Sequence, residues 1–314
     1  MNGDNAKLAT AAIRDRLAAF QAREALTLKQ LGARVGRSES YVSRYLSGSP
    51  VGDVEKFERS VRDRLDSEER RRTWGEIYFE TEAIRTCFMV FDLIRESSDI
   101  GLVTSPAGIG KTTACRRYAA EHSTVLFVYG EEGNGSAWGV MKALCGGLDM
   151  RKFDSGRQRR SEFLREKLAG SQRLIIVDNA QRLNMSGLRW LFDFHDATGV
   201  SIALVGNPEV LNRLKGNDQM TSRIGFKQDV ARMSASKAWI DQAADAMVSA
   251  MWPDAAAEIK LLARESARKA GYLRTLNKQL RIAIRLCETD AYSGRYGKAF
   301  VEARHLIGAD SQGD

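Results

Sequence analysis

Proline is scarce in this chain, four in 314 residues, and so are cysteine (four) and histidine (three). The four thiols, Cys87, Cys115, Cys145 and Cys287, stand far apart. That spacing excludes both a disulfide framework and a zinc module of paired cysteines. They read as reduced, buried thiols. His122, His195 and His305 form no cluster either, and His195, in the run WLFDFHD, reads as a helix-surface residue. No run approaches the ~18 apolar residues of a membrane-spanning helix. The polar N-terminus lacks the pattern of a secretory signal. A cytoplasmic protein without membrane contact is the expectation.

Positive charge is in surplus, 48 Lys and Arg against 40 Asp and Glu. A surplus of that size suits an anionic partner, nucleic acid first, if it is clustered; an even spread would mean only a basic protein. It is clustered. Residues 151–173 hold eight Lys or Arg against three acids, among them Arg151, Lys152, Arg157, Arg159 and Arg160. Such a group on a loop and helix suits contacts to a phosphate backbone, which carry little sequence information. A solvated helix face is the competing explanation. Lys260 to Arg285 holds eight more. Arg274, Lys278, Arg281 and Arg285 recur at helical spacing on one face. Arg274 is placed to touch nucleotide, and Lys278 and Arg281 to face DNA or solvent.

The most informative stretch is Ile100 to Ala114, IGLVTSPAGIGKTTA. A short apolar run predicts a buried strand. The loop Ser105-Pro106-Ala107-Gly108-Ile109-Gly110 follows, and Lys111, Thr112 and Thr113 open a helix. This is the pattern of a phosphate-cradling loop. Glycines let backbone N–H groups approach phosphate oxygens, and the helix N-terminus favours negative charge. Lys111 would reach the β- and γ-phosphates of ATP, and the Thr112 hydroxyl would bind Mg²⁺. Ser105 stands where such loops usually begin with glycine. The bland alternative is a chance Gly-Lys-Thr turn.

The later strands extend this reading. Leu174 to Asp178 (LIIVD) is a buried parallel strand delivering an acid at its C-terminal end, a second Mg²⁺ ligand. The next residue, where a proton-accepting Glu is usual, is Asn179; an amide can orient water but cannot take its proton. Weak ATP hydrolysis is the expectation, unless Glu131 or Glu132 after the strand Val125–Tyr129 substitutes. A strand over Ile202–Val205 is closed by Gly206-Asn207-Pro208, where Asn207 can read the γ-phosphate or position water. Beyond it, Arg223 is placed to act as an arginine finger in a neighbouring subunit, with Arg213 in reserve.

The flanks are helical. Leu8, Ala12, Ile13, Leu17 and Phe20 mark a leading helix. Thr27 or a neighbour can cap a short helix, Gly36 can turn the chain, and Ser38 can cap another. This is a helix-turn-helix pattern, in which Arg37, Ser38, Ser40, Tyr41, Ser43 and Arg44 would face the major groove. A small helical protein-interaction domain is the alternative. Residues 76–95 predict an amphipathic helix, with Phe79, Glu80 and Thr81 as candidates to cover the adenine; ordinary packing is the competing reading. From Ser236 three helices follow, and the tail beyond Gly308 is expected to be disordered. The expected domains are 1–65, helix-turn-helix; 66–75, linker; 76–235, ATPase core; and 236–314, helical lid and tail.

In their order and spacing these residues resemble the MuB family, the AAA+ target-DNA-binding ATPases of Mu-like transposable phages. The resemblance rests on the N-terminal helix-turn-helix, Phe79-Glu80-Thr81, Gly108 to Thr112, Leu174 to Asp178, Val205 to Asn207, Ser222 to Ile224 and Gly271 to Arg274. It implies an α/β fold: an AAA+ P-loop core with a parallel sheet and helical lid, preceded by an all-α helix-turn-helix domain. It also implies ATP and Mg²⁺ as cofactors and ATP-dependent helical filaments on double-stranded DNA with little sequence preference. A transposase would be the partner, in a bacterial host cytoplasm. Two other classes share the nucleotide residues: a helicase loader or replication initiator, and an ATP-gated transcription regulator.

Overall fold

The computed structural model describes residues 2–49, 51–76, 79–148, 156–230, 237–269 and 271–308. It divides into two compact units, Met1–Tyr78 and Phe79–Asp314.

The first unit is four helices, α1 (Asn2–Arg23), α2 (Leu28–Val35), α3 (Glu39–Leu46) and α4 (Val54–Glu76). The local signals act as read. Thr27 and Gln30 form a reciprocal capping box at the start of α2, and Gly36 ends that helix at φ +67°. The Ser38 hydroxyl accepts from the Tyr41 N–H, starting α3. Ile13, Leu17 and Phe20 of α1 bury against Leu31, Val42 and Tyr45, with Phe57, Val61 and Leu65 of α4 closing the cluster. One polar link crosses this core: the Tyr45 hydroxyl donates to Glu58 Oε1 at 3.0 Å, and Thr10 donates to Oε2 at 3.2 Å. Residues 66–75, expected as a linker or a solvated helix end, lie inside α4, which has no proline and, up to its last turn, no glycine to break it.

In the second unit the amphipathic helix predicted from residue 76 starts later. It is α5 (Glu82–Ser97), with Thr81 as its N-cap. Thr81 Oγ1 accepts from the Ile84 N–H at 3.2 Å, and that cap interrupts the apolar periodicity that had run on from residue 76. Then come β1 (Ile100–Thr104), α6 (Lys111–Glu121), β2 (Val125–Tyr129), α7 (Ala137–Gly147), α8 (Arg157–Leu168), β3 (Leu174–Asp178), α9 (Met185–Thr198), β4 (Ser201–Gly206), α10 (Glu209–Leu214), α11 (Asp218–Thr221) and β5 (Ile224–Asp229). The five strands form a sheet in the order β2-β3-β4-β1-β5. Every strand pairing among the described residues is parallel. Strands β1, β3 and β4 are buried along their whole length, as expected for a parallel sheet covered on both faces. The edge strand β5, IGFKQD, carried too little apolar signal to be predicted.

Alternate side chains of the sheet join two cores. Val103, Val125, Leu174, Ile176, Ala203 and Val205 pack with α5, α6 and the C-terminal helices. Leu102, Leu126, Val128, Ile175, Val177 and Leu204 pack with α7, α8 and α9. The C-terminal helices are α12 (Lys237–Met251), α13 (Ala256–Ala267), α14 (Tyr272–Cys287) and α15 (Tyr296–Leu306). Three were expected; α15 is the addition, buried through Ala299, Phe300 and Ala303. Gln279 ties it down from within: Ser266 donates to its Oε1 at 2.5 Å, and its Nε2 donates to the Phe300 carbonyl at 2.8 Å. Residues 309–314, expected as a disordered tail, lie outside the described residues.

Candidate functional site

The parallel topology brings the C-terminal ends of β1, β3 and β4 to one edge, and the loop 105–110 crosses that edge. Gly110, at φ +114°, hands the chain into α6. Gly108, at φ +95°, lies against the lid: a Cβ there would be 2.0 Å from the Gly271 carbonyl oxygen and 3.4 Å from Arg274 Cβ. Only glycine fits that approach. Loop and lid are thus in backbone contact. The lid arginine named from sequence stands beside the loop at the N-terminus of α14.

Lys111 is deeply enclosed. Its Nζ donates to the Ser105 carbonyl (2.8 Å), Ser105 Oγ (3.0 Å) and the Pro106 carbonyl (2.9 Å). Ser105 is fully buried, so its hydroxyl is a built part of this arrangement. Burial holds the Lys111 ammonium below the usual lysine range, opposed mainly by the charge of Asp178 and reinforced by that of Arg274. Asp178 is 1% exposed. Its Oδ1 accepts from the Asn179 N–H at 2.9 Å, while its Oδ2 is buried with no hydrogen-bond partner. A buried carboxylate oxygen without a donor fits a divalent cation, with the Thr112 hydroxyl at the start of α6 as a candidate second oxygen ligand.

Next along the edge, Asn179 takes the left-handed conformation at φ +55°. Gln181 joins it to the neighbouring strand. Gln181 Nε2 donates to Asn179 Oδ1, and its Oε1 accepts from the Asn207 N–H, both at 3.3 Å. Asn179 and Asn207 are therefore brought together through a residue that the sequence reading missed. A glutamine two places after an asparagine gives no signal of its own.

At the entrance to α5, Thr81 is buried as a helix cap, Phe79 packs on the core and Glu80 is exposed. Ile84 lies beneath Gly110, 3.7 Å from where a Cβ would stand, so the start of α5 does border the loop. Ile109 is buried, whereas Ala107 and Thr113 face solvent.

The arginines are distributed differently from the expectation. Arg223 is engaged within its own chain, 3.1 Å from Asp196 and 3.8 Å from Asp193. Arg213 donates to the Leu183 carbonyl at 3.0 Å. In the first unit, Arg37 and Tyr41 are half-buried rather than fully exposed. Tyr41 is half-buried edge-on to Phe57, and the Arg37 guanidinium covers the Tyr41 ring at 5.3 Å and reaches Asp53 at 4.0 Å. Apolar packing of the ring outweighs exposure of the hydroxyl. Ser38 serves as a cap, and Ser40, Ser43 and Arg44 are exposed.

Arg157 and Arg159 lie exposed on α8, while Arg160 is half-buried over the Trp138 ring at 5.1 Å. Arg151 and Lys152 lie outside the described residues. In the lid, Lys278 is exposed, but burial lowers the pKa of Arg281. Arg264 and Arg268 pair with Asp245 and Asp241, so part of the expected basic surplus is neutralised at home. Among the described residues no cluster of His, Cys, Asp and Glu forms a metal site, and no helix is long and apolar enough to cross a membrane.

Comparison with known proteins agrees with this geometry. A family model described as AAA domain matches residues 94–214. The chain is 24% identical over 265 residues to the ATP-dependent target DNA activator B of Escherichia phage Mu, covering 83% of this chain and 84% of that protein. It is 25% identical over 196 residues to the Mu-like prophage FluMu DNA transposition protein B of Haemophilus influenzae, covering 61% of this chain and 68% of the relative. Among solved structures, the Aeropyrum pernix Orc1 protein in complex with DNA superposes with a TM-score of 0.53 at 16% identity, covering 76% of this chain and 69% of that one. Cdc6p from Pyrobaculum aerophilum gives 0.51 at 16% identity, covering 69% and 65%. These two likenesses concern the fold. A parallel P-loop sheet, a matched AAA domain and similarity over most of the chain all agree: this chain is similar to the Mu-type target DNA activator and transposition protein B.

Proposed function

We propose that this chain is an ATP-dependent, largely sequence-nonspecific DNA-binding ATPase that assembles as a helical filament on target duplex and recruits a transposase to it. The observation that carries the proposal is the enclosed Lys111 ammonium beside the unpartnered Asp178 Oδ2. A cation held by carbonyls and an oxygen without a donor suit a triphosphate with its Mg²⁺. The relative in phage Mu, named as an ATP-dependent target DNA activator, supports the same reading.

In this reading the 105–113 loop cradles the phosphates, and Lys111 exchanges its loop carbonyls for phosphate oxygens. Thr112 and Asp178 hold Mg²⁺, which when bound neutralises the phosphates. Asn207 and Arg274 approach the γ-phosphate from the sheet and the lid. Arg223 leaves Asp193 and Asp196 for the site of an adjacent copy. Because that contact needs two copies, nucleotide binding favours assembly. Assembly in turn repeats Arg157 and Arg159 along the duplex, with Ser40, Arg44 and Lys278 as further contacts. Many weak, salt-sensitive contacts then add up to tight binding. Asn179 cannot itself take a proton from water, so turnover is slow unless a nearby acid does so.

Electron microscopy of the purified protein with random duplex and ATP tests the reading. Filaments that form with ATP, and not without it or with Lys111→Ala, support it. Equal coating without nucleotide, or single subunits in the presence of both, refutes it. Discrete rings would place the protein with helicase loaders instead.

A further inference from the structure

Asn179 leaves the position after Asp178 without a base, and the sheet register points to another acid. β2 and β3 run parallel with Tyr129 opposite Asp178. By the alternation of the two cores, Tyr129 and Asp178 fall on the α5–α6 side of the sheet. Arg116 of α6 stands 5.9 Å from the centre of the Tyr129 ring, as that placement requires. Glu131 is two residues further, with its backbone still extended at φ −130°, ψ 155°. Continuing the alternation of β2 two residues past its end puts Glu131 on the face of Asp178, about 7 Å beyond it along the strand direction. That is the side of the sheet on which Lys111 and Asp178 face each other electrostatically.

Gly130 seats Glu131 closely. Its N–H donates to the Asp178 carbonyl at 2.8 Å, and a Cβ on it would be 2.6 Å from the Asn179 carbonyl oxygen. Any other residue at 130 would push the strand end away from the turn. The neighbouring acid, Glu132, is held by Arg182. The Glu131 carboxylate takes part in no hydrogen bond or ion pair among the described residues, and it is exposed.

We infer that Glu131 is the general base of ATP hydrolysis, an inference that rests on ATP being the substrate of this site. The Glu131 carboxylate takes a proton from water as the water oxygen bonds to the γ-phosphorus. The bond from that phosphorus to the β,γ-bridging oxygen breaks, and its electron pair leaves with ADP. The proton then passes to solvent. The Asn179 amide, braced by Gln181, orients the water without accepting its proton.

The test uses the full chain with random duplex, Mg²⁺ and ATP. Single-turnover hydrolysis is measured beside affinity for a fluorescent ATP analogue. Glu131→Gln is expected to keep affinity within about twofold and to slow hydrolysis by about 100-fold or more. Glu132→Gln should stay within about threefold of the unmodified rate, which fits a solvent-exposed ion pair of little worth. Asn179→Glu should restore hydrolysis to the Glu131→Gln protein by returning a carboxylate to the neighbouring strand. Undiminished hydrolysis in Glu131→Gln overturns the inference, as does an unmodified protein that binds ATP without cleaving it. Loss of affinity in Glu131→Gln replaces the base role with a binding one and overturns it too. If the unmodified protein fails to bind the analogue, the nucleotide reading itself falls, and the inference with it.

Discussion

Replacing Gly108 by alanine separates the contact between loop and lid from ordinary backbone strain, because Gly271 across the contact supplies the control. Both residues have positive φ, +95° and +86°. An alanine at either costs ~1–2 kcal/mol for the left-handed backbone alone. The surroundings then differ. At Gly271 the new methyl meets the Thr275 hydroxyl at 2.1 Å, and that side chain can rotate away. At Gly108 it meets the Gly271 carbonyl oxygen at 2.0 Å and carbon at 2.8 Å, which can move only if the lid backbone moves. Relief needs a shift of about 1 Å or more, at an overpacking cost of ~1–3 kcal/mol.

Gly271→Ala should therefore lower the melting temperature of the second unit by about 2–8 °C, and Gly108→Ala by about 5–15 °C. The larger consequence is for binding. A lid displaced from the loop carries Arg274 away from the phosphates, so Gly108→Ala should weaken ATP binding by about 100-fold and Gly271→Ala by less than about 10-fold. Thermal melts with and without ATP, together with a fluorescent-nucleotide titration, read both quantities. If Gly108→Ala melts and binds like the unmodified protein, or Gly271→Ala is equally damaging, the contact does not hold the site.

Other expectations follow from single groups. Tyr45→Phe leaves the buried Glu58 carboxylate one donor short, so the first unit should lose ~1–2 kcal/mol in a denaturant titration. Burial, and then the Glu58 hydrogen bond, raise the Tyr45 pKa. The stability it contributes should thus be intact below about pH 10 and be lost as pH rises through the raised value, a loss absent from Tyr45→Phe melts. Gln279→Ala leaves the Ser266 hydroxyl without its acceptor, removes a second donor from the Phe300 carbonyl and opens a cavity in the lid core, and should cost ~2–4 kcal/mol by thermal melting. Burial pushes the Cys87 thiol up to about 12 and Cys115 well above its usual range. Iodoacetamide at pH 8 should therefore label half-buried Cys287 first and reach those two only on unfolding, as read by mass spectrometry. Arg223→Ala should abolish assembly and hydrolysis while sparing ATP binding; intact filaments would pass the role to Arg213.

Sequence alone determined the local elements whose causes are local. The strands Val125–Tyr129 and Leu174–Asp178, the caps at Thr27 and Ser38, the turn at Gly36 and the Gly108–Thr112 loop each depend on a few adjacent residues, so their patterns were legible. What waited for tertiary structure was everything set by partners distant in the chain. β5 exists because it pairs with β1, not because IGFKQD favours a strand. α15 is fixed by a glutamine some twenty residues earlier. Tyr41 is half-buried because Phe57 offered it an apolar neighbour, and Arg223 found two acids of α9 that no spacing rule links to it. Tyr129 lies opposite Asp178, and Glu131 just beyond it, through a strand register joining residues nearly fifty apart. The phosphate loop could be read from one segment because backbone geometry makes it, but the groups that surround it are chosen by which strands lie side by side, and that depends on burial summed over the whole chain.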